Sequence, residues 1–287
     1  MTDVIIIGAG PAGISASLYT KRANLNTLVI SNKTGALLKT DKIENYYGFP
    51  EAVSGKELRI RGIDGAKRLG VEFTSGEVVS LGYDGNFIVT TTDNEYSAKA
   101  LLLATGSRRI APKISGIENF EGKGISYCAI CDAFFFRGKN VAVLGAGDYA
   151  LHESEVLFNV ANSVTVLTNG EKAAADFPEN ISVITEKIDS FEGNSKIENI
   201  KFADGKNMNV DGIFVAYGVA GSAALAKKLG AVTNGNNIRV DENMQTSIKG
   251  LYAAGDCTGG LLQISKAVYE GAKAGTEIVK YIRSIKK

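Results

Sequence analysis

Val4-Ile5-Ile6-Ile7-Gly8-Ala9-Gly10-Pro11-Ala12-Gly13 is the stretch that decides the fold. Four successive apolar residues suit a strand buried on both faces, and the run is far too short to span a bilayer. Ile14, Ala16, Leu18 and Tyr19 then continue at helical spacing, and residues 27–30 form a second apolar strand, so the segment reads as a complete βαβ unit. Each glycine has a separate reason. The first permits a tight turn, the second lets the backbone approach a pyrophosphate, and the third lets helix and strand pack closely. The unpaired N–H groups at the helix start suit an anion. A lone motif of this kind is weak; here strand, turn and helix agree. The second strand ends Ser31-Asn32-Lys33, without the acid that usually holds ribose hydroxyls, which leaves Asn32 as the acceptor.

Alternation over residues 87–92 and 93–96 predicts an antiparallel hairpin, followed by a buried strand at 100–104 that ends in Thr105-Gly106. A second βαβ start then appears: a strand at 140–144, the turn Gly145-Ala146-Gly147-Asp148-Tyr149-Ala150, a helix to about 161 and a strand at 163–167. The chain closes with an apolar run at 213–217, a polar stretch at 234–237, a strand at 251–254, Gly255-Asp256, and a helix from about 262 to 285. The apolar face of that helix (Ile264, Ala267, Val268, Ala272) is expected to pack back on the first domain. The expected fold class is therefore α/β: two nested, three-layer Rossmann-like dinucleotide-binding domains. Residues 1–111 and 241–287 form the first, with 112–240 inserted.

Composition is that of a globular chain of two domains: 287 residues, 45% hydrophobic and 22% charged. With 32 basic and 31 acidic residues the net charge is +1, which argues against nucleic acid or an anionic membrane as partner. No leader segment is expected. Three cysteines do not make a secreted disulfide framework, and two stand as Cys128-Ala129-Ile130-Cys131, a spacing used for reversible redox chemistry in reducing compartments; a cytoplasmic location is expected. A Cys-x-x-Cys at a helix start acidifies its first thiol, making Cys128 the nucleophile, and Asp132 is placed to give or take its proton. Half of a zinc site and an inert buried pair are the alternatives. The chain offers zinc only Cys257 and His152 as further soft ligands, so no metal is expected. His152 reads as a helix-face residue and Cys257 as a small buried hydrophobe.

Three segments together carry a family likeness: the N-terminal Gly8-Ala9-Gly10-Pro11-Ala12-Gly13, the run from Cys128-Ala129-Ile130-Cys131-Asp132 through Ala133-Phe134-Phe135-Phe136-Arg137-Gly138-Lys139, and Ala254-Gly255-Asp256. With Glu44-Asn45-Tyr46-Tyr47-Gly48-Phe49-Pro50 and Ala104-Thr105-Gly106, they make the chain resemble the low-molecular-weight thioredoxin reductases over nearly its whole length. The resemblance implies that the first domain binds FAD. Gly8, Gly10, Pro11, Ala12 and Gly13 would cradle its pyrophosphate, with Asn32, Leu38, Ala104, Thr105 and Gly106 around it. Gly255 and Asp256 would meet the ribityl or pyrophosphate region, and Asn45, Gln263 and Ile264 the ring system. Taken alone, Asp256 reads equally as a turn residue and Gln263 as a surface residue. The resemblance further implies that Cys128 exchanges with the disulfide of thioredoxin, that Cys131 lies nearer the flavin, and that the protein is a homodimer.

NADPH-dependent members of that family carry a His-Arg-Arg run, with a further Arg, after the strand that follows the second glycine turn. Here the stretch is Leu167-Thr168-Asn169-Gly170-Glu171-Lys172-Ala173-Ala174-Ala175-Asp176. A 2′-phosphate without cationic partners forfeits charge-assisted hydrogen bonds of roughly 1.5–3 kcal/mol each. Only Glu171 remains as a ribose acceptor for NADH. The pattern resembles the ferredoxin-linked flavin thioredoxin reductases, so reduced ferredoxin is the expected donor, docking on Arg108, Arg109 and Lys113 or on Lys280, Arg283, Lys286 and Lys287. Two alternatives stand: an NADPH- or NADH-dependent reductase with atypical cofactor recognition, and a non-catalytic flavin-binding partner protein.

Overall fold

A computed structural model describes residues 2–32, 35–39, 41–106, 113–127, 129–217, 221–235 and 237–286, with the backbone alone at 36, 39, 130 and 131. The chain divides into two compact units, residues 1–109 with 221–287, and residues 110–220.

The first unit begins with β1 (Thr2–Ile7), α1 (Pro11–Arg22), β2 (Thr27–Ser31), α2 (Gly55–Arg68), β3 (Glu72–Ser75), β4 (Val78–Tyr83), β5 (Phe87–Thr91) and β6 (Glu95–Leu103). β1 is buried from Asp3 to Ile7 and lies between β2 and β6, parallel to both. The βαβ reading of the opening segment therefore holds, with β3 added parallel to β2 beyond it. The hairpin expected at 87–96 is larger than its alternation suggested. β4 is a third antiparallel strand, and β6 runs unbroken to Leu103, pairing first antiparallel with β5 and then parallel with β1. The change of partner coincides with burial, since Ala100 to Leu103 are each fully buried whereas Glu95 is exposed.

The second unit comprises β7 (Ile125–Ser126), α3 (Ala129–Asp132), β8 (Asn140–Leu144), α4 (Asp148–Phe158), β9 (Ser163–Leu167), β10 (Ser182–Ile184), β11 (Ile188–Glu192), β12 (Asn199–Phe202), β13 (Asn207–Asn209) and β14 (Gly212–Val215). Its parallel sheet has the order β10-β9-β8-β14-β7, and β11, β12 and β13 form a separate antiparallel sheet. The repeated βαβ start is present as β8, α4 and β9, although α4 stops at Phe158, short of 161.

The chain returns to the first unit with α5 (Ser222–Lys228), β15 (Thr233–Asn234), β16 (Asn237–Ile238), β17 (Leu251–Ala253) and α6 (Ile264–Ile285). The boundary expected at 240 is thus displaced to 220. Ser222 donates to the Gly106 carbonyl (2.7 Å) and Lys228 to that of Val79 (3.0 Å), tertiary bonds that no local periodicity announces. β17 extends the sheet parallel to β6.

α6 lies against α1 at very short range. A Cβ at Gly271 would fall 2.1 Å from the Ala12 carbonyl oxygen, and one at Gly275 would fall 2.7 Å from that of Ala16. The buried face of α6 is Ala267, Gly271, Ala274, Ile278 and Ile282; of the expected face only Ala267 is fully covered, and Ile264, Val268 and Ala272 are half-buried. The helix begins at Ile264, two residues later than expected.

Candidate active site: two glycine turns and a redox segment

The first glycine turn joins β1 to α1. Gly8 has φ +113°, and a Cβ there would lie 2.3 Å from the Ala104 carbonyl oxygen; one at Gly13 would lie 1.9 Å from that of Gly8. Around Gly10, by contrast, a Cβ would meet nothing within 4 Å. Gly10 caps α1 without a side-chain bond and Pro11 contributes no N–H, so the N–H groups of Ala12 and Gly13 stand at an uncapped helix start. Asn32 comes directly after β2, and its carbonyl accepts from Arg59 of α2 at 3.3 Å. Leu38 is exposed on a short 3-10 turn, Ala36–Lys39.

The loop after β17 is held by a network the sequence did not announce. Glu270 accepts from the Gly255 N–H (2.8 Å) and pairs with Lys266 (3.1 Å), while Lys266 also donates to the carbonyls of Gly255 (2.9 Å) and Gly259 (2.6 Å) and to the Thr258 hydroxyl (2.8 Å). Within it Asp256 is half-buried and has no hydrogen-bond donor among the described residues. Burial raises its pKa, Glu270 adds to the rise, and Lys266 opposes it. Asn45 donates to Gln263 at 3.0 Å, so these two expected ring contacts are brought together, just before Ile264 opens α6. Thr105 is hydrogen-bonded to Ser222 at the start of α5, which in turn holds Gly106.

Of the redox segment, Cys128 and the side chain of Cys131 lie outside the described residues, but their neighbours lie within them. Asp132 accepts from Ser126 at 2.6 Å, and the N–H of Ala129 donates to Oε2 of Glu153, on α4, at 2.6 Å. Tyr149 donates to the Tyr127 carbonyl (3.3 Å), its phenol held well above the usual pKa by burial and by Glu153. Phe134 and Phe135 are exposed. Cys257 is 1% exposed, lies 3.3 Å and 3.4 Å from the carbonyls of Ala254 and Leu103, and is pushed up to about 12 by burial; it packs as an inert hydrophobe.

The second glycine turn joins β8 to α4. Gly145 is as tightly fitted as Gly8, with the Ala216 carbonyl oxygen 2.2 Å from where a Cβ would stand, and Gly147 is as open as Gly10. The loop after β9 sets this turn apart from the first. Ala174 and Ala175 both donate to the Ala146 carbonyl, at 2.7 and 3.2 Å, drawing the loop over the turn. Gly170 donates to Thr185, Asn169 accepts from Ile188, and the Tyr217 hydroxyl donates to the Glu171 carboxylate. Since β9 and β14 flank β8, this last bond crosses the carboxyl end of β8. Glu171, the one acid left there that could serve a ribose, accepts from Tyr217.

The pattern of the pyridine nucleotide-disulphide oxidoreductases matches residues 2–271. The chain belongs to that family. It is 36% identical over 306 residues to a thioredoxin reductase of Listeria monocytogenes, covering 99% of this chain and 95% of the relative. The atypical thioredoxin reductase TRi from Desulfovibrio vulgaris Hildenborough superposes with a TM-score of 0.93 at 41% identity, with 99% of each chain covered. A ferredoxin-flavin thioredoxin reductase from Clostridium acetobutylicum superposes with a TM-score of 0.73 at 28% identity, covering 100% of this chain and 99% of that one.

This oxidoreductase is an FAD-binding flavoprotein, and its first unit fits the cofactor. Open space at Gly10, a helix start without a side-chain cap, and a half-buried carboxylate with no donor among the described residues are what a pyrophosphate and a polyol chain require. Arg59, Ser222, Glu270 and Lys266 were missed by sequence reasoning; only the i, i+4 spacing of Lys266 and Glu270 could have signalled that pair. Of the cations suggested for docking, Lys113 is exposed, while Arg108, Arg109 and Lys287 lie outside the described residues. Lys280 pairs with Glu277 (2.9 Å) and Lys286 with Asp3 (3.0 Å), while Arg283 is exposed. Among the described residues no helix is long and apolar enough to cross a membrane.

Proposed function

We propose that the protein is a ferredoxin-dependent flavin thioredoxin reductase, passing electrons through FAD to the Cys128–Cys131 disulfide and on to thioredoxin. The observation that carries the choice of donor is the loop after β9. It holds no arginine, its N–H groups return to Ala146, and its one well-placed acid is bonded to Tyr217 across the end of β8. A pyridine nucleotide entering there would lose its 2′-phosphate partners and would have to break bonds already made. Relatives of both kinds, a ferredoxin-flavin reductase and ordinary thioredoxin reductases, lie within reach of this chain, so the likeness alone leaves the donor open.

Bound FAD supplies the conversion of single electrons from the donor into a pair for the disulfide. The protein holds it with Gly8, Gly10, Pro11, Ala12 and Gly13 at the pyrophosphate, Asn32, Leu38, Ala104, Thr105 and Gly106 beside it, Gly255 and Asp256 along the polyol, and Asn45, Gln263 and Ile264 at the ring. Two electrons and two protons open the Cys128–Cys131 disulfide to two thiols. Cys128, having lost its proton, attacks the thioredoxin disulfide; the mixed disulfide is resolved by Cys131, which releases the dithiol. Asp132, oriented by Ser126, exchanges the proton of the departing thiol. The working protein is read as a cytoplasmic homodimer with the residues 110–220 inserted in the flavin unit.

The opposing reading, a pyridine nucleotide donor, draws on the intact Gly145 and Gly147 turn. Anaerobic stopped-flow mixing with NADPH, NADH and reduced ferredoxin, followed at the flavin band, separates the two. Bleaching by ferredoxin alone is expected. Bleaching by either nucleotide within the turnover time would sink the proposal.

A further inference from the structure

Lys266 is the third residue of α6, where the helix's own N–H groups carry partial positive charge and a cation is disfavoured. Its side chain is only 16% exposed, so the ammonium has also been taken largely out of water. What meets it there is a set of oxygens. Nζ lies 2.6 Å from the Gly259 carbonyl, 2.8 Å from the Thr258 hydroxyl, 2.9 Å from the Gly255 carbonyl and 3.1 Å from Oε2 of Glu270. An ammonium has only three hydrogens, so these oxygens surround it as ligands surround an ion. The two carbonyls belong to Gly255 (φ 87°, ψ −153°) and Gly259 (φ 79°, ψ −156°), which bracket the short turn Asp256–Thr258. Both share one backbone conformation that is essentially confined to glycine, and such a conformation persists only where the surroundings fix it.

We propose that Lys266 is a positioning residue whose ammonium is the built-in cation of an oxygen cage, standing where a monovalent metal ion could stand and holding the turn that carries Asp256. Backbone carbonyls, a hydroxyl and a carboxylate are the ligands that replace the hydration shell of such an ion. Glu270 completes the cage from the next turn of α6. It supplies the counter-charge and also accepts from the N–H of Gly255 (2.8 Å), so that N–H and the Gly255 carbonyl are both held by α6. Gly255 in turn stands against the start of α1, where a Cβ on it would fall 3.0 Å from that of Ala12. The cage thereby fixes Asp256 beside the first glycine turn. Burial raises the pKa of Asp256 and Lys266 opposes that rise, so the caged charge is felt at the carboxylate as well. The inference rests on the reading that Gly255 and Asp256 meet FAD.

The test follows FAD leaving the holoprotein, by the rise of its fluorescence after dilution, in the chlorides of potassium, ammonium or choline at one ionic strength. Wild type should be indifferent to the salt. K266A empties the cage, so in choline, which is too large to enter, it should release FAD at least about tenfold faster than wild type. In potassium or ammonium, which match the lost group in charge and closely in size, most of that loss should be recovered. K266M removes the charge but leaves an apolar stem in the cage; it should release FAD as fast as K266A does in choline and recover in neither salt. K266A that is as slow as wild type in choline, or fast in all three salts, overturns the inference. If K266A does not fold, K266M decides alone, since release at the wild-type rate overturns it equally. D256N tests the reading beneath: retention of FAD as in wild type would mean that this turn does not meet the cofactor. The cage is then judged by thermal unfolding of the holoproteins, in which K266A, unlike wild type or K266M, should be stabilised by potassium or ammonium over choline, and the absence of that difference overturns it.

Discussion

The two glycine turns of this chain are built alike and surrounded differently. A Cβ at Gly8 or Gly145 would stand 2.3 or 2.2 Å from a carbonyl oxygen, and Gly10 and Gly147 each face open space. Neither α1 nor α4 has a side-chain cap, but in the first unit the Asp256 carboxylate has no donor among the described residues. At the second, Ala174 and Ala175 of the loop after β9 donate to the Ala146 carbonyl, and Tyr217 donates to Glu171. A glycine motif therefore reports that a backbone is shaped for a dinucleotide. Whether one binds is decided by the groups left unpaired around it.

The contrast is broken most severely at Gly8. In G8V a branched residue is forced to positive φ, a strain of roughly 1–3 kcal/mol, against the Ala104 carbonyl. The variant should purify colourless, with FAD affinity down by at least about 100-fold, or about 2.7 kcal/mol; a stoichiometrically yellow G8V would mean the turn does not cradle the cofactor. The matched pair G10A and G147A sharpens the comparison. Each adds one methyl to open space, so G10A should weaken FAD by about tenfold through obstruction of the pyrophosphate, about 1.4 kcal/mol. G147A should leave flavin content and ferredoxin-driven turnover unchanged, and equal losses in both would show the second turn to be occupied in the working enzyme.

E270A leaves the Gly255 N–H without its acceptor and Lys266 without its counter-charge. It should lower holoprotein stability by about 1–3 kcal/mol in thermal or urea unfolding; no change would remove the network from the account of how Asp256 is held. The smallest effect belongs to Y217F, within about 1 kcal/mol in urea at neutral pH. Tyr217 is pushed up to about 12 from 10.0, first by burial and then by Glu171. A group whose folded pKa is raised contributes stability that is complete below its unfolded pKa and is lost as pH climbs through the folded one. Wild type should therefore lose a small increment of stability between pH 10.0 and about 12 that Y217F does not show. Identical alkaline profiles would remove the phenol–carboxylate bond as a stabilising link.

Much of the flavin unit was legible because it is written in short-range patterns. β1, the Gly8–Gly13 turn and β2 declare themselves by apolar runs and glycine spacing, and the return of the last helix is implied by an apolar face that needs a partner. α2 was not legible for the opposite reason: among its residues only Gly55 and Ala66 are fully buried, so it carries no apolar stripe. α5 is seven residues long, and its place in the first unit depends on Ser222 meeting Gly106. The antiparallel sheet of β11 to β13 consists of strands of three to five residues with polar outer faces. In the site, the glycines and Asp256 could be read, whereas Glu153 and Glu270 look in sequence like surface carboxylates of ordinary helices. Their burial is set by tertiary neighbours alone.

The tight seam of Gly271 and Gly275 against Ala12 and Ala16 has a consequence in time. A ribosome delivers α1 early and α6 only after all of residues 110–220, an interval on the order of tens of seconds at bacterial or eukaryotic synthesis rates. Throughout that interval the small-residue flank of α1 is uncovered and β6 lacks β17, while the intervening unit already has every strand of its own sheets. A nascent chain released before this point would lack both the helix that covers α1 and the strand that pairs with β6.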